Sequence, residues 1–229
     1  MIEFLFLDLD DTILDFHKAE HIALGKTFAA FGLSPEQHIL DRYSVINQAH
    51  WQMLERHELT REQVLVRRFG ALFEEFGIPV NPEAVAAKYE ENLSIGHYFL
   101  PGAEEAVKSL SKKYKLYLAS NGTARVQAGR LKSAKLAPWF QEIFVSQVIG
   151  ANKPDKAYFE RCFAKIPGFA REKCMMVGDS LTSDIQGGIN AGIKTCWVNP
   201  TGKKATTIKP DYEIASLSQL EALLETIHE

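Results

Sequence analysis

The stretch IEFLFLDLDDTI, residues 2–13, decides how the rest of the chain is read. An apolar run stops abruptly at three aspartates, Asp8, Asp10 and Asp11, with Thr12 after them. A short apolar run bounded by polar residues is the pattern of a strand buried in a parallel sheet. Side chains alternate along a strand, so Asp8 and Asp10 share one face at its carboxyl end. Two carboxylates that close repel each other, and stay ionised together only with a compensating cation or a shared proton. Taken alone, the segment also fits a strand that ends in solvated aspartates.

Working outward, four further short apolar runs read as strands: KLYLAS (115–120), EIFVS (142–146), KCMMVGD (173–179) and KTCWVNP (194–200). Helical stretches separate most of them, at 102–113, 123–135 and 155–165. Strand and helix in alternation imply an α/β fold with a doubly wound parallel sheet. Ligands bind such sheets at the carboxyl ends of the strands. Asp8 and Asp10, Ser120 and Asn121, and Asp179 all fall there. Residues 15–97 break the alternation with four predicted helices and no clear strand. Ser34-Pro35-Glu36-Gln37 and Thr60-Arg61-Glu62-Gln63 both fit a capping box, and Asn81-Pro82 puts proline at a first helical position. Leu65, Phe69, Leu72, Phe73 and Phe76 recur at helical spacing. The expected organisation is a core of residues 1–14 and 98–229, with a helical bundle at 15–97 inserted after the first strand.

Composition sets limits. A chain of 229 residues with 46% hydrophobic and 24% charged residues can bury a globular core. A net charge of -3 argues against a nucleic-acid polymer as partner, and Lys203, Lys204 and Lys209 are too sparse to form a basic patch. Cys162, Cys174 and Cys196 lack CxxC spacing and read as buried free thiols in a reducing compartment. No apolar run approaches the roughly 20 residues of a membrane helix. With no basic, cleavable leader at the N-terminus, a cytoplasmic location is expected.

The order of motifs, DLDDT (8–12), SNG (120–122), NKP (152–154) and GDSLTSD (178–184), resembles the haloacid dehalogenase-like (HAD) hydrolases. Most members of that superfamily are magnesium-dependent phosphatases that work through an aspartyl-phosphate. The resemblance implies a Rossmann-like core, and the bundle at 15–97 matches the C1 cap of HAD enzymes. Asp8 is then the nucleophile, since a carboxylate can attack phosphorus and split one displacement into two. Asp10 is the general acid and base. The dehalogenases that name the superfamily lack this second aspartate, because a halide needs no proton. Magnesium is implied as the cofactor, held by Asp8, the Asp10 carbonyl and Asp179, with Asp184 holding a metal-bound water or Lys153. Ser120 and Asn121 are expected to bind the phosphate beside a helix start, and Lys153 to place a cation on the phosphoryl group. Read singly, Asp179 and Asp184 also fit a strand-end turn and a helix N-terminal charge, SNG a turn, and Lys153 a surface lysine.

Within the superfamily, DDTILDF (10–16) and GDSLTSDIQGGINAGIKTCWVNP (178–200) look like the pyrimidine 5'-nucleotidase subgroup, with Ser120 where threonine often stands. That likeness implies nucleoside 5'-monophosphates as substrates, pyrimidines favoured. A phosphatase or phosphomutase for a small sugar phosphate is the alternative. A phospho-acceptor signalling module is more remote, because no aspartate ends the 115–120 or 142–146 strands. A phosphonate hydrolase needs a Schiff-base lysine, and Lys18, Lys26 and Lys88 have no special context. His17 and His21 lack a third metal ligand nearby, and Phe16 and Trp51 read as core aromatics before pocket walls. No Walker loop or GxGxxG is present.

Overall fold

A computed structural model describes residues 1–34, 36–205 and 207–227. The first strand, β1 (Phe4–Leu7), is buried along its whole length, as an unbroken FLFL run between two helix layers requires. Four helices follow: α1 (Phe16–Ala30), α2 (Gln37–Glu55), α3 (Arg61–Phe76) and α4 (Pro82–Leu93). The chain then alternates through α5 (Ala103–Leu110), β2 (Lys115–Ser120), α6 (Ala124–Ala134) and β3 (Glu142–Val145). After α7 (Ser146–Ile149) and α8 (Lys156–Phe163) come β4 (Cys174–Gly178), α9 (Gln186–Ala191) and β5 (Lys194–Val198). The described chain closes with β6 (Tyr212–Ile214) and α10 (Leu220–Thr226).

All strand pairs are parallel, in the order β3-β2-β1-β4-β5-β6. The chain runs outward from β1 to one side through β2 and β3, and to the other through β4 to β6. Such a reversal opens a crevice at the carboxyl ends of the two strands beside it, β1 and β4. Register brings the motifs to one level there: Leu7 pairs with both Leu118 and Val177, so Asp8, Ser120 and Asp179 emerge together.

Alternation along β1 feeds two cores. Leu5 and Leu7 join Val107, Leu116, Leu118 and Leu220 on one face, while Phe4 and Phe6 meet Tyr117, Phe144, Phe159 and Phe163 on the other. Phe6 stacks on Tyr117 and Phe144 at 5.3 and 5.8 Å between ring centres. The helices α1–α4 bury a third cluster of their own, centred on Leu24, Phe28, Tyr43, Phe69, Leu72 and Tyr89. A polar chain crosses this bundle: Arg68 Nη1 donates to Asn47 Oδ1 (2.8 Å), and Asn47 Nδ2 to Glu20 Oε1 (2.7 Å). Where the chain enters and leaves the bundle, its two linkers pair, through Asp15 N to Tyr98 O (2.7 Å) and Leu100 N to Ile13 O (3.0 Å).

Two expectations need correcting. The sheet has a sixth strand, β6, which is only three residues long and partly exposed at the edge, so it shows no apolar run. The box at Thr60 and Gln63 forms, as does the Asn81 cap with Pro82 at the helix start, but the one proposed at Ser34 does not. Helix α2 begins at Gln37 behind Glu36, and the Gln37 amide pairs with His21 and Asp41 instead of reaching back. Pro35 of that motif lies outside the described residues. Among the described residues no helix is long and apolar enough to cross a membrane.

Helix α9 packs against the sheet through Gly188, where an added Cβ would lie 2.6 Å from Thr195 Cγ2 and 3.2 Å from Met176 Cβ. Overpacking of this kind costs about 1–3 kcal/mol, and alanine's helix propensity returns up to about 1 kcal/mol. Gly188→Ala should therefore lower the urea midpoint; an unchanged or raised midpoint contradicts this packing.

Candidate active site

Lys153 organises the crevice. Its ammonium, 1% exposed, donates to Asp8 Oδ1 and Asp184 Oδ1, both at 2.6 Å, and to the carbonyl of Ala119. All three protons are thereby used. Burial alone would push this ammonium down, but Asp184 and Asp8 outweigh it and hold it above the ordinary lysine range. The Asn121 side chain fixes the lysine from behind, accepting from Lys153 N (2.9 Å) and donating to Lys153 O (2.8 Å). The same side chain also donates to Ser183 Oγ at 3.2 Å.

Asp8, Asp179 and Asp184 offer carboxylate oxygens that all lie within 4.8 Å of one another. Burial pushes the Asp8 carboxyl up; Lys153 pulls it down, and Asp184 and Asp10 add repulsion, leaving it at about 8. Asp179 is also held well above the usual range, by burial and then by the charges of Asp184 and Asp8. Asp184 sits on a π-helical turn (Leu181–Ile185) and accepts a second bond from Ser180 N at 3.1 Å. Only glycine at position 178 admits it, because a Cβ there would stand 2.2 Å from Asp184 Oδ2. The Asp179 carbonyl accepts from Trp197 Nε1 at 2.7 Å.

Three carboxylates around one ammonium leave two uncompensated negative charges when all are ionised. Hard oxygen donors with a charge deficit of this size suit a divalent cation such as magnesium.

The Asp10 side chain turns toward α6. Gln127 Nε2 donates to Asp10 Oδ2 (2.7 Å) and to Ser120 Oγ (2.8 Å), and Arg130 Nη1 pairs with Asp10 Oδ1. Arg130, fully buried, also donates through Nε to Gly96 O (3.0 Å) in the linker leaving the bundle. Ser120 Oγ accepts from Gly122 N as well, at 3.1 Å.

A cavity of about 210 Å³ lies between these groups and the bundle. Phe16, Trp51, Leu65 and Leu93 form its apolar wall; Phe16 also packs against the bundle's buried cluster, as expected, whereas Trp51, expected in the core, faces the cavity. Glu55, Arg68 and Glu90 add polar groups on the bundle side. His17 lies 3.5 Å from Asp11 and His21 pairs with Gln37; among the described residues neither joins a metal-capable cluster. Sequence reasoning passed over Gln127 and Arg130, although their i,i+3 spacing on the helix after SNG puts both on one face.

A parallel sheet with an inserted helical bundle thus gathers aspartates round a lysine at its strand ends. The family model for haloacid dehalogenase-like hydrolases matches residues 5–198. The chain belongs to that family. It is 39% identical over 220 residues to the pyrimidine 5'-nucleotidase PynA of Streptococcus pneumoniae, covering 95% of this chain and 93% of that protein. It is 27% identical over 223 residues to the pyrimidine 5'-nucleotidase YjjG of Escherichia coli, covering 97% of each. A crystal structure of the HAD-hydrolase YfnB of Bacillus subtilis, bound to magnesium and described as revealing interdomain movement, superposes with a TM-score of 0.93 at 39% identity, covering 97% of this chain and 98% of that one.

Removing the lysine charge strands buried carboxylates. Lys153→Met should destabilise the protein by about 3–5 kcal/mol, the usual cost of breaking a buried pair, read as a fall in the urea midpoint in EDTA. A midpoint within error of wild type contradicts the central role given to Lys153.

Proposed function

We propose that the protein is a magnesium-dependent phosphomonoesterase that acts through an aspartyl-phosphate on Asp8, with pyrimidine nucleoside 5'-monophosphates as its substrates. The observation that carries this reading is the placing of Asp8. Lys153 holds its Oδ1, while Oδ2 has no hydrogen bond among the described residues, at the edge of a cavity that also reaches Ser120 and Asp179. Asp8, the Asp10 carbonyl and Asp179 would hold magnesium, with Asp184 acting through a water or Lys153, and the ion would lower the repulsion between carboxylate and phosphate.

In the first half-reaction Asp8 Oδ2 attacks phosphorus, the ester P–O bond breaks, and the leaving oxygen takes a proton from Asp10. In the second, water attacks phosphorus and gives a proton to Asp10, the bond from Asp8 to phosphorus breaks, and inorganic phosphate leaves. Lys153 acts on the phosphoryl group as a nearby positive charge, and the Ser120 hydroxyl, which accepts from Gln127 and Gly122, donates its proton to a phosphoryl oxygen. Gln127 and Arg130 keep the Asp10 carboxylate in place between the two steps.

Residues 15–97 serve as a cap over a core of residues 1–14 and 98–229, hinged near 14–18 and 96–101, and its closing excludes water. The motifs round Asp8 recognise only the phosphoryl group, so selectivity falls to the cap. Two flat faces, Phe16 and Trp51, suit a planar ring, and the relatives PynA and YjjG, named as pyrimidine 5'-nucleotidases, favour a pyrimidine. Three buried, unpaired cysteines support a cytoplasmic setting, with burial pushing the Cys162 and Cys196 thiols up to about 12.

Asp8→Asn removes the nucleophile with almost no change of shape and should cost at least about 10³-fold in kcat, or about 4 kcal/mol of barrier. A variant that keeps a tenth of the wild-type rate sinks the mechanism, provided its mass excludes deamidation. Magnesium should restore activity lost in EDTA and raise the melting temperature, whereas calcium should inhibit. Asp179→Ala should abolish the magnesium-induced rise; full activity after exhaustive chelation contradicts the metal assignment. Phosphate release with magnesium, ranked by kcat/KM across nucleotides, sugar phosphates and phosphorylated amino acids, tests the substrate. UMP, dUMP and dTMP should lead, and a sugar phosphate ahead of every nucleotide by tenfold contradicts the nucleotidase reading.

A further inference from the structure

Arg61 opens α3, and the capping box at Thr60 and Gln63 fixes where that helix starts. Its side chain leaves the bundle and enters the core. Nη1 donates to the carbonyls of Asn121 and of Gly122, the latter at 3.0 Å, and Nη2 donates to Ser146 Oγ (2.6 Å) and Asn152 Oδ1. Arg61 is only 7% exposed, and among the described residues no carboxylate pairs with it. The Trp51 ring, 5.7 Å from its guanidinium, covers it from the bundle side. A buried cation facing neutral acceptors is costly unless every donor is used. Four of its five N–H groups are used, and only while the bundle is seated on the core.

The acceptors are not spread at random over the core. Two are backbone carbonyls of SNG, one is the side chain of Asn152 in NKP, and the last, Ser146, follows β3 directly. In a planar trans peptide the C=O and N–H point in opposite directions. Holding the Asn121 carbonyl thus aims the Gly122 N–H, which donates to Ser120 Oγ at 3.1 Å. Holding the Gly122 carbonyl likewise sets the Thr123 N–H. Thr123 lines the cavity, and its buried hydroxyl has no hydrogen-bond partner in this arrangement. Residues 120–123 therefore form a cradle along the cavity that offers the Ser120 and Thr123 hydroxyls, and its backbone is gripped from behind by a residue of the bundle.

We propose that Arg61 is a positioning residue through which the seating of α1–α4 shapes the 120–123 cradle, so that bundle docking and phosphoryl binding are coupled. This rests on the reading above that the cradle takes a phosphoryl group. Coupling of this kind is reciprocal: a bound phosphate tightens docking by the same factor by which docking tightens phosphate. Arg61 touches no reacting atom in this role. Its loss is felt equally by substrates with different leaving groups, because only the shared phosphoryl end depends on the cradle.

Inorganic phosphate is the probe. Its binding with magnesium present is measured calorimetrically for wild type, Arg61→Met, Arg61→Lys and His57→Ala. Hydrogen exchange over residues 120–123 and 94–100 is followed with and without phosphate. His57 makes a different contact between bundle and core, 3.2 Å from Asp155, and does not touch the cradle. Arg61→Met should weaken phosphate by about tenfold or more, raise KM for all substrates alike, and leave residues 120–123 unprotected by phosphate. His57→Ala should stay within about twofold of wild type. If Arg61→Met does not fold, Arg61→Lys carries the test, since it keeps the charge but cannot span four acceptors. Wild-type phosphate affinity in whichever Arg61 variant folds, or an equal loss in His57→Ala, overturns the inference. A wild-type protein that binds no phosphate overturns the phosphatase reading and this inference together.

Discussion

Lys153 ties together polar groups at the carboxyl ends of three neighbouring strands, β1, β2 and β4. Its ammonium bonds to Asp8 after β1, to the carbonyl of Ala119 near the end of β2, and to Asp184 after β4. A lysine so deeply buried stays charged because two carboxylates oppose the cost of burial. Those carboxylates are tolerated, in turn, because the lysine is there. The group is interdependent, and each member is positioned by backbone: Asp184 by the missing side chain of Gly178, Lys153 by the Asn121 amide, and Asp8 by central placement of β1 in the sheet.

The charges that Lys153 does not offset set the chemistry. Asp8 and Asp179 are both driven toward protonation in the free chain, by burial first and by carboxylate neighbours after it. A cation among them would relieve that stress and return the carboxylates to the ionised form that a nucleophile needs. Asp10 adds to the repulsion on Asp8 but takes its own partners from α6, whose Gln127 and Arg130 occupy both of its oxygens. Two aspartates two positions apart in the strand-end motif thus have different partners, which is how one short segment can supply separate roles. Arg130 also reaches Gly96 in the linker, and Arg61 reaches the SNG loop from the bundle, so the site is braced from both sides of the inserted helices.

Much of this was legible from short patterns. Five strands show as apolar runs bounded by polar residues: β1, β2, β4 and β5 are buried on both faces along most of their length, and β3, at the sheet edge, still ends in the buried pair Phe144 and Val145. The bundle shows because Thr60 with Gln63, and Asn81 with Pro82, are local signals that act within a few residues. β6 was hidden because an edge strand of three partly exposed residues carries no periodicity. Ser34 misled because a capping box is only a spacing until the Gln37 side chain chooses between its own helix start and His21 or Asp41. Asp8, Asp179 and Asp184 could be named from their motifs, but the partners of Asp10 could not. Gln127, Arg130 and Arg61 owe their roles to tertiary contacts 60 to 120 residues away in sequence, and no local pattern encodes those.

The central claim is that the Asp8 carboxylate carries the phosphoryl group between the two half-reactions. Acid quenching during turnover of UMP with magnesium, followed by peptide mass spectrometry, tests it directly. The account predicts one added phosphoryl group on the peptide that contains Asp8, absent in Asp8→Asn and lost on treatment with hydroxylamine. Turnover at full rate with no phosphoryl adduct detectable during rapid sampling, or with the adduct on another residue, contradicts it.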